Sequence, residues 1–173
     1  GGDCREGCSA LAEHEIPASA VEIIDPRQDP RRERYAQAYF EMRWRHGVTE
    51  HVSRRRMQDP IYFGNMMVHA KDADGLIAGL TMSYPETIRP SLQIHHTLPH
   101  ISRAAGIYLL LFEDRMSFIG DTTVNQDPNA AQLAEIAWMA GHIAQHYFET
   151  TPRIAMLSYS NFGSNLDQRS GKI

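Results

Sequence analysis

The sequence predicts an α/β fold, a three-layer sandwich in which helices cover a mostly parallel sheet. Short apolar runs alternate with segments whose apolar residues recur at helical spacing, and small polar residues follow several of the apolar runs. A predicted strand pair interrupts this alternation in the middle of the chain. Because open α/β sheets bind ligands at the carboxyl ends of their strands, we expect a binding site among those polar residues.

The composition limits the class of protein. The 173 residues carry a formal net charge of −4 and are 42% hydrophobic, so the chain can bury a core. The acidic balance argues against a general nucleic-acid partner, and no apolar run approaches the roughly 20 residues that span a bilayer. Cys4 and Cys8 make neither a disulfide framework nor a zinc site. We therefore expect a cytoplasmic protein with no nucleic-acid or membrane partner.

The first part of the chain is predicted to be a strand followed by helices. Residues 21–24 form a short apolar strand, and residues 31–46 carry apolar side chains at helical spacing. Thr49 is suited to cap a second helix, and Asp59, which precedes a proline, is suited to cap a third. Residues 54–56 are all arginine, which we interpret as a solvated helix face.

The next stretch of the sequence predicts an anion pocket. A buried apolar strand at residues 76–80, spaced by Gly75 and Gly79, leads into a polar turn and then a helix. Pro85 suits the first position of that helix, with Ser83 or Tyr84 as its cap, and the free N–H groups at such a helix start attract phosphate or carboxylate. Arg89 lies about one turn further on, with a guanidinium fork suited to the same anions. The alternative is an ordinary turn with Arg89 in a surface ion pair.

The remaining part is predicted to contain a hairpin, a long helix and a final strand. Two apolar runs, residues 107–112 and 116–119, are separated by a short polar segment. Asp127 is available to cap a helix that begins at Pro128. A buried strand at residues 154–157 then leads into a loop of small polar residues, where we expect ligand contacts.

The polar segment after the hairpin admits two interpretations. Asp121, Thr122 and Thr123 could orient a polar ligand, whereas Asn125 and Asp127 are typical of a simple turn. Both interpretations stay open at this point.

Several well-known catalytic motifs are absent from the sequence. No Lys-Ser or Lys-Thr pair follows Gly79, as a P-loop requires, and the dinucleotide-binding glycine fingerprint is missing. Neither Ser158 nor Ser160 has the flanking glycines of a hydrolase nucleophile elbow. The catalytic residues are therefore unassigned, and we expect no metal site.

A set of motifs resembles the phosphate acetyl/butyryltransferase family. They are Asp25-Pro26-Arg27, Met42-Arg43, Gly47-Val48-Thr49, Asp59-Pro60-Ile61-Tyr62-Phe63-Gly64, Met66-Met67-Val68, Ala73-Asp74-Gly75-Leu76, Tyr84-Pro85-Glu86-Thr87-Ile88-Arg89-Pro90, Asp121-Thr122-Thr123-Val124-Asn125 and Met156-Leu157-Ser158-Tyr159-Ser160-Asn161-Phe162-Gly163. The resemblance implies a phosphate acetyltransferase-like fold, of the isocitrate/isopropylmalate dehydrogenase-like type. On this view residues 1–20 are a poorly defined N-terminal segment, and residues 21–173 are a partial domain truncated at its C-terminus.

Within the family, two loops are most similar to the C-terminal acyltransferase-like domain of bacterial NADP-dependent malic enzyme. These loops are Tyr84-Pro85-Glu86-Thr87 and Ser160-Asn161-Phe162-Gly163. That branch implies an acetyl-CoA-responsive regulatory and assembly domain, in a parent that oxidatively decarboxylates malate with NADP and Mg or Mn held elsewhere. The alternatives are a fragment of an active phosphate acetyltransferase, which transfers acetyl between CoA and phosphate, or a structural oligomerisation module. The resemblance implies at least a homodimer, acetyl-CoA or a related acyl-CoA as ligand, and no cofactor in this chain.

The resemblance also assigns site residues. Arg43 matches an arginine associated with CoA binding and catalysis, and Arg89 matches a second active-site arginine. For Arg43 the alternative is a cation that stabilises the C-terminus of its helix. The family's base motif, a Ser-Arg pair followed by Asp, is expected beyond Ile173. The predicted CoA- and phosphate-binding residues are Arg43, Thr81, Ser83, Arg89, Ser158, Ser160 and Asn161.

Overall fold

The computed structural model describes residue 9, residues 11–97 and residues 99–158. The chain divides into two compact units, residues 1–96 and residues 97–173. The helices described in the first unit are α1 (Arg32–Arg43), α2 (Glu50–Arg56), α3 (Pro60–His69) and α4 (Tyr84–Ile94), with short 3₁₀ turns at Ala18–Ala20 and Trp44–His46. The elements described in the second unit are β1 (Ile107–Leu111), β2 (Met116–Gly120) and α5 (Ala130–Phe148).

The starts of α2 and α3 are set by the two predicted caps. The Thr49 hydroxyl accepts from the Val52 N–H over 3.3 Å, and Asp59 Oδ1 accepts from the Ile61 N–H over 2.8 Å. Each cap satisfies a backbone donor that has no partner within its own helix. Pro60 occupies the first position of α3, where its missing N–H costs nothing. Both predicted caps are confirmed.

The first unit has an aromatic-rich core between its helices. Tyr35 of α1 and Phe63 of α3 meet edge to face with ring centroids 5.0 Å apart, and Ile94 closes the core from α4. Burial of each such side chain stabilises the fold by roughly 1.5–3 kcal/mol. The buried Ser53 of α2 donates its hydroxyl proton to the backbone carbonyl of Ala36 on α1, so these two helices are joined by a hydrogen bond as well as by packing.

The second unit contains the predicted hairpin. β1 and β2 are antiparallel, with Ile107 opposite Gly120 and Leu111 opposite Met116. The Phe112 N–H donates to the Arg115 carbonyl over 2.9 Å and closes the turn between the strands. Two apolar runs joined by a short polar segment can pair without a long loop, and the predicted strand pair is confirmed.

The sheet is smaller than predicted. Within the described residues it has two strands, both antiparallel, and no strand forms at residues 21–24, 76–80 or 154–157. The predicted burial of two of these segments is wrong: Ile77 and Leu80 are fully exposed and Leu157 is 83% exposed. An apolar run indicates that a strand is favourable, but the strand forms only beside a partner strand.

The start of α5 also differs from the prediction. Asn129, rather than Asp127, is the cap, and the helix begins at Ala130. Asn129 Oδ1 accepts from the Gln132 N–H over 3.0 Å, while Gln132 Oε1 accepts from the Asn129 N–H over 2.8 Å. This reciprocal capping box satisfies two backbone donors at once and so outcompetes a start at Pro128.

Among the described helices, none combines the length and apolar character needed to cross a bilayer.

Candidate anion-binding site

Most of the predicted site residues that the structure describes lie in the first unit. Arg43 ends α1, Thr81 and Ser83 belong to the turn before α4, and Arg89 lies within α4. Ser158 is described in the second unit, at the end of its last described segment. The predicted residues Ser160 and Asn161 lie outside the described residues. The first unit therefore contains both predicted arginines and the turn with Thr81 and Ser83 that precedes the helix of Arg89.

The N-terminus of α4 is closed by a carboxylate of its own. Of the two candidate caps, Ser83 and Tyr84, the structure selects Ser83; the helix begins at Tyr84, so Pro85 occupies the second helical position and not the first as predicted. Glu86 Oε2 accepts from the Ser83 hydroxyl over 2.6 Å and from the Ser83 N–H over 3.0 Å. These two hydrogen bonds lower the pKa of Glu86 below its ordinary value. The sequence predicts free N–H groups at this helix start for an anion. In the structure the Glu86 carboxylate already accepts from the Ser83 N–H, so that donor is not free for a ligand.

The turn before α4 depends on a glycine. Gly79 has φ of +115°, a conformation that other residues adopt only with strain. A Cβ there would lie 3.5 Å from Thr87 Oγ1, which is ordinary contact, so the backbone rather than space requires glycine. Thr81 lies two residues after Gly79 and is exposed. The turn thus leaves Thr81 accessible beside the start of α4.

Arg43 carries an unsatisfied buried nitrogen. Its Nε is buried and has no hydrogen-bond partner within the described ranges. The ion pairs of the described residues also leave Arg43 without a carboxylate. Burying a charged donor without a partner is unfavourable, and such groups are rare in folded proteins. An anionic ligand at this position would satisfy the guanidinium.

Arg89 is exposed on α4 and precedes the buried Pro90. Its charge contributes to the lowered pKa of Glu86, although the hydrogen bonds from Ser83 contribute more. Arg89 forms no ion pair with a carboxylate of the described residues, so the surface ion pair considered as its alternative is not found there. The guanidinium fork remains available for a ligand.

A polar cluster anchors α4 four residues after Arg89. Gln93 Oε1 accepts from the Tyr39 hydroxyl over 3.0 Å, from the Tyr62 hydroxyl over 2.9 Å and from Arg56 over 3.3 Å. The Arg56 guanidinium also donates to the Tyr39 hydroxyl and lies over the rings of both tyrosines, 5.5 Å and 5.2 Å from their centroids. The sequence alone does not predict this cluster. The one signal for it in the sequence is that Gln93 stands four residues after Arg89, a spacing that puts two side chains on one helix face.

The cluster corrects one interpretation of the arginine run. Arg54 does lie on a solvated face, where its guanidinium pairs with Glu33 at 3.2 Å and with Glu50 at 3.3 Å. Arg55 is exposed as well. The interpretation is wrong for Arg56, which lies over the rings of Tyr39 and Tyr62 because its planar guanidinium can stack and donate at once.

The Asp121 segment forms a self-contained turn. The Asp121 carboxylate accepts from the N–H groups of Thr123, Val124 and Asn125 over 3.0, 3.1 and 2.9 Å, and from Asn125 Nδ2 over 2.6 Å. Burial acts to raise the pKa of Asp121, but these donors outweigh it and the pKa lies below its ordinary value. A carboxylate so fully used by its own loop favours the turn interpretation over a ligand site.

Comparison with known proteins identifies the family. A family model described as phosphate acetyl/butaryl transferase matches residues 2–173. The chain belongs to this family. It is 43% identical over 150 residues to a phosphate acetyltransferase of Synechocystis sp., covering 87% of the chain and 21% of that protein. It is 39% identical over 163 residues to a phosphate acetyltransferase of Nitratidesulfovibrio vulgaris, covering 94% of the chain and 23% of that protein.

A solved phosphotransacetylase gives the same result at the level of structure. The enzyme from Streptococcus pyogenes superimposes with a TM-score of 0.83 at 32% identity, covering 99% of this chain and 52% of that one. This likeness confirms an α/β fold. The chain spans about half of that solved structure and about a fifth of the two relatives named above.

The predicted malic-enzyme role is wrong. Relatives at 39% and 43% identity over most of the chain are phosphate acetyltransferases, and no malic enzyme is among the matches described above. The regulatory function and the oxidoreductase parent inferred for that branch fall with it. The inference depended on two four-residue loops, and so short a motif cannot separate branches of a family that shares the surrounding sequence.

Proposed function

We propose that this chain is part of a phosphate acetyltransferase, an enzyme that transfers acetyl between CoA and phosphate. Arg43 carries the proposal, since its buried Nε has no partner within the described residues and its position matches a CoA-binding arginine of the family. The exposed, unpaired guanidinium of Arg89 supports it. Thr81, Ser83, Ser158, Ser160 and Asn161 are proposed as hydroxyl and amide ligands.

The chemistry needs cations at the phosphate. In one direction the CoA thiolate attacks the carbonyl carbon of acetyl phosphate, the new C–S bond forms, and the C–O bond to phosphate breaks. The leaving phosphate takes the electron pair of that bond. Guanidinium groups stabilise this developing charge and can hold phosphate oxygens through two parallel hydrogen bonds. A base must also remove the thiol proton, and no residue of this chain is assigned that role.

We also propose the finer architecture that the resemblance implies, a three-layer sandwich with a mostly parallel sheet. Residues 76–80 and 154–157 are apolar and exposed, as expected of strands whose partners lie outside the described residues. Slow amide hydrogen exchange at these segments in the intact protein would support this arrangement, and fast exchange would contradict it. The partial domain at residues 21–173, assembly as at least a homodimer and a cytoplasmic location stay predictions.

The test of the function is an assay of the intact protein. Acetyl-CoA and inorganic phosphate are supplied, and thiol release is followed with time. The wild type should release CoA in a phosphate-dependent reaction. Arg43→Gln and Arg89→Gln should lower kcat/KM by about 100-fold, as expected when a charged contact to the transition state is lost.

A matched control separates these effects from a general loss of charge. Arg55→Gln removes the same charge from an exposed side chain of the same unit and should keep activity near wild type. Absence of phosphate-dependent thiol release from the wild type would reject the function. Phosphate-dependent release with unchanged activity in both arginine variants would reject the assigned site.

A further inference from the structure

We propose that Gln93 is a further phosphate-binding residue, whose amide nitrogen donates to the same phosphoryl group that Arg89 holds. This inference rests on the proposed function, because it takes Arg89 to face a phosphoryl ligand. It adds one more amide donor to a site proposed so far from guanidinium, hydroxyl and amide groups.

The orientation of the Gln93 amide is fixed by donors that cannot reverse their role. Arg56 has N–H groups and no acceptor, and one of them points at Gln93 Oε1 over 3.3 Å. Arg56 also donates to the Tyr39 hydroxyl, so the phenol's own proton is free to go to Gln93 over 3.0 Å. Reversal of the amide would place N–H against N–H. The oxygen of Gln93 therefore faces the cluster.

The amide nitrogen of Gln93 is consequently the outward end of the side chain. Within residues 11–97 and 99–158 it makes no hydrogen bond, whereas the oxygen accepts three. Gln93 lies four residues after Arg89 on α4, and side chains at this spacing are neighbours on one helix face, with Cβ atoms about 5–6 Å apart. A tetrahedral phosphoryl group has enough oxygens to accept from both.

The donor is also held rigidly. The rings of Tyr39 and Tyr62 meet edge to face at 5.7 Å, and the Arg56 guanidinium lies over both. The Tyr62 hydroxyl donates to Gln93 Oε1 over 2.9 Å, and burial raises the pKa of this phenol. Arg56, Tyr39 and Tyr62 are thus positioning residues. A donor fixed before the ligand arrives loses little conformational entropy on binding.

The experiment separates the two ends of the amide. Gln93→Glu keeps an oxygen for the three internal donors but replaces the outward N–H groups with an acceptor. Leu92→Glu is the matched control. Leu92 is 50% exposed, and the substitution adds the same negative charge to α4, three residues after Arg89. The KM values for phosphate and for acetyl-CoA, the affinity for CoA by calorimetry and the thermal midpoint are measured for the intact protein.

In Gln93→Glu we expect the KM for the substrate that supplies the phosphoryl group to be about 10-fold higher than in the wild type. The thermal midpoint should stay at the wild-type value. Leu92→Glu should change it by about twofold at most. A larger KM for phosphate alone identifies the transferred group as the ligand, and a larger KM for acetyl-CoA identifies the phosphates of CoA.

Two outcomes would overturn the proposal: unchanged KM values in Gln93→Glu, or equal increases in both variants, which would indicate charge repulsion alone. Should the wild type lack transferase activity, the proposed function fails. Calorimetric titration with CoA and with inorganic phosphate then still decides the role of Gln93, because weaker binding in Gln93→Glu than in Leu92→Glu supports the contact and equal binding rejects it.

Discussion

The hydroxyl of Ser91 on α4 donates to Asn65 Oδ1 on α3 over 2.8 Å. Asn65 is 2% exposed, and its Nδ2 donates to the Ile61 carbonyl over 2.7 Å. Both ends of this buried amide are therefore satisfied inside the first unit. The bond ties the helix that carries Arg89 to the core, so it bears on the site as well as on stability.

Asn65→Leu should destabilise the protein by about 2 kcal/mol, because it leaves the partly buried Ser91 hydroxyl without its acceptor and removes a hydrogen bond to Ile61. Ser91→Ala should cost about 1 kcal/mol. Urea unfolding of both single variants and the double variant measures the coupling. Strictly additive effects would mean that the two side chains do not stabilise one another.

Arg89→Ala should weaken binding of acetyl-CoA by about 1–3 kcal/mol, the usual loss when a charged hydrogen bond is removed. Calorimetric titration of the intact protein measures the difference, with Arg55→Ala as the control on an exposed arginine. Equal affinities for wild type and Arg89→Ala would remove Arg89 from the site.

His95 should make the protein less stable in mild acid. Burial, together with the neighbouring His69 and His96, lowers the pKa of His95 from its ordinary value of 6.5. As the pH falls below about 6.5, the unfolded chain takes up a proton at this position before the folded protein does. The stability that comes from a neutral His95 is complete above that pH and is lost toward the lower folded-state pKa.

The thermal midpoint measured from pH 7.5 to pH 5.5 tests this. In His95→Gln the midpoint should fall less over that interval than in the wild type. His51→Gln changes an exposed histidine of the same unit and should leave the wild-type pH dependence in place. An identical pH dependence in His95→Gln and wild type would contradict the prediction.

Gly79→Ala should destabilise the protein by about 1–3 kcal/mol, because a side chain strains the backbone at φ of +115°. Gly75→Ala is the matched control, since a Cβ at Gly75 meets no atom within 4 Å and its φ lies outside the left-handed region. Denaturant unfolding compares the two variants. Equal stabilities would show that the turn before α4 relaxes to accept alanine.

Local patterns were predictable and long-range ones were not. The caps Thr49 and Asp59 and the hairpin depend on residues close in sequence, and they are correct. The strands at residues 76–80 and 154–157 need partners that an apolar run does not specify. Its position before a proline marks Asp127 as a cap, but the reciprocal capping box of Asn129 with Gln132 satisfies two backbone donors and sets the start of α5 instead.

The candidate site shows the same division. Arg43 and Arg89 were found through motifs, and Ser83 through its position before a helix. Gln93 is set apart by contacts from α1, α2 and α3, which lie 31 to 54 residues away along the chain. No periodicity in the sequence could bring those residues together.

The three consecutive arginines of α2 have unequal tolerance to lysine. Lysine at position 54 can still pair with Glu33 or Glu50, and at position 55 it can still extend into solvent. At position 56 an ammonium group cannot lie flat over the rings of Tyr39 and Tyr62 while donating in the plane to Gln93. An alignment that scores arginine and lysine as equivalents would therefore miss the difference between Arg56, whose contacts need a guanidinium, and its two neighbours, whose contacts need only a positive charge.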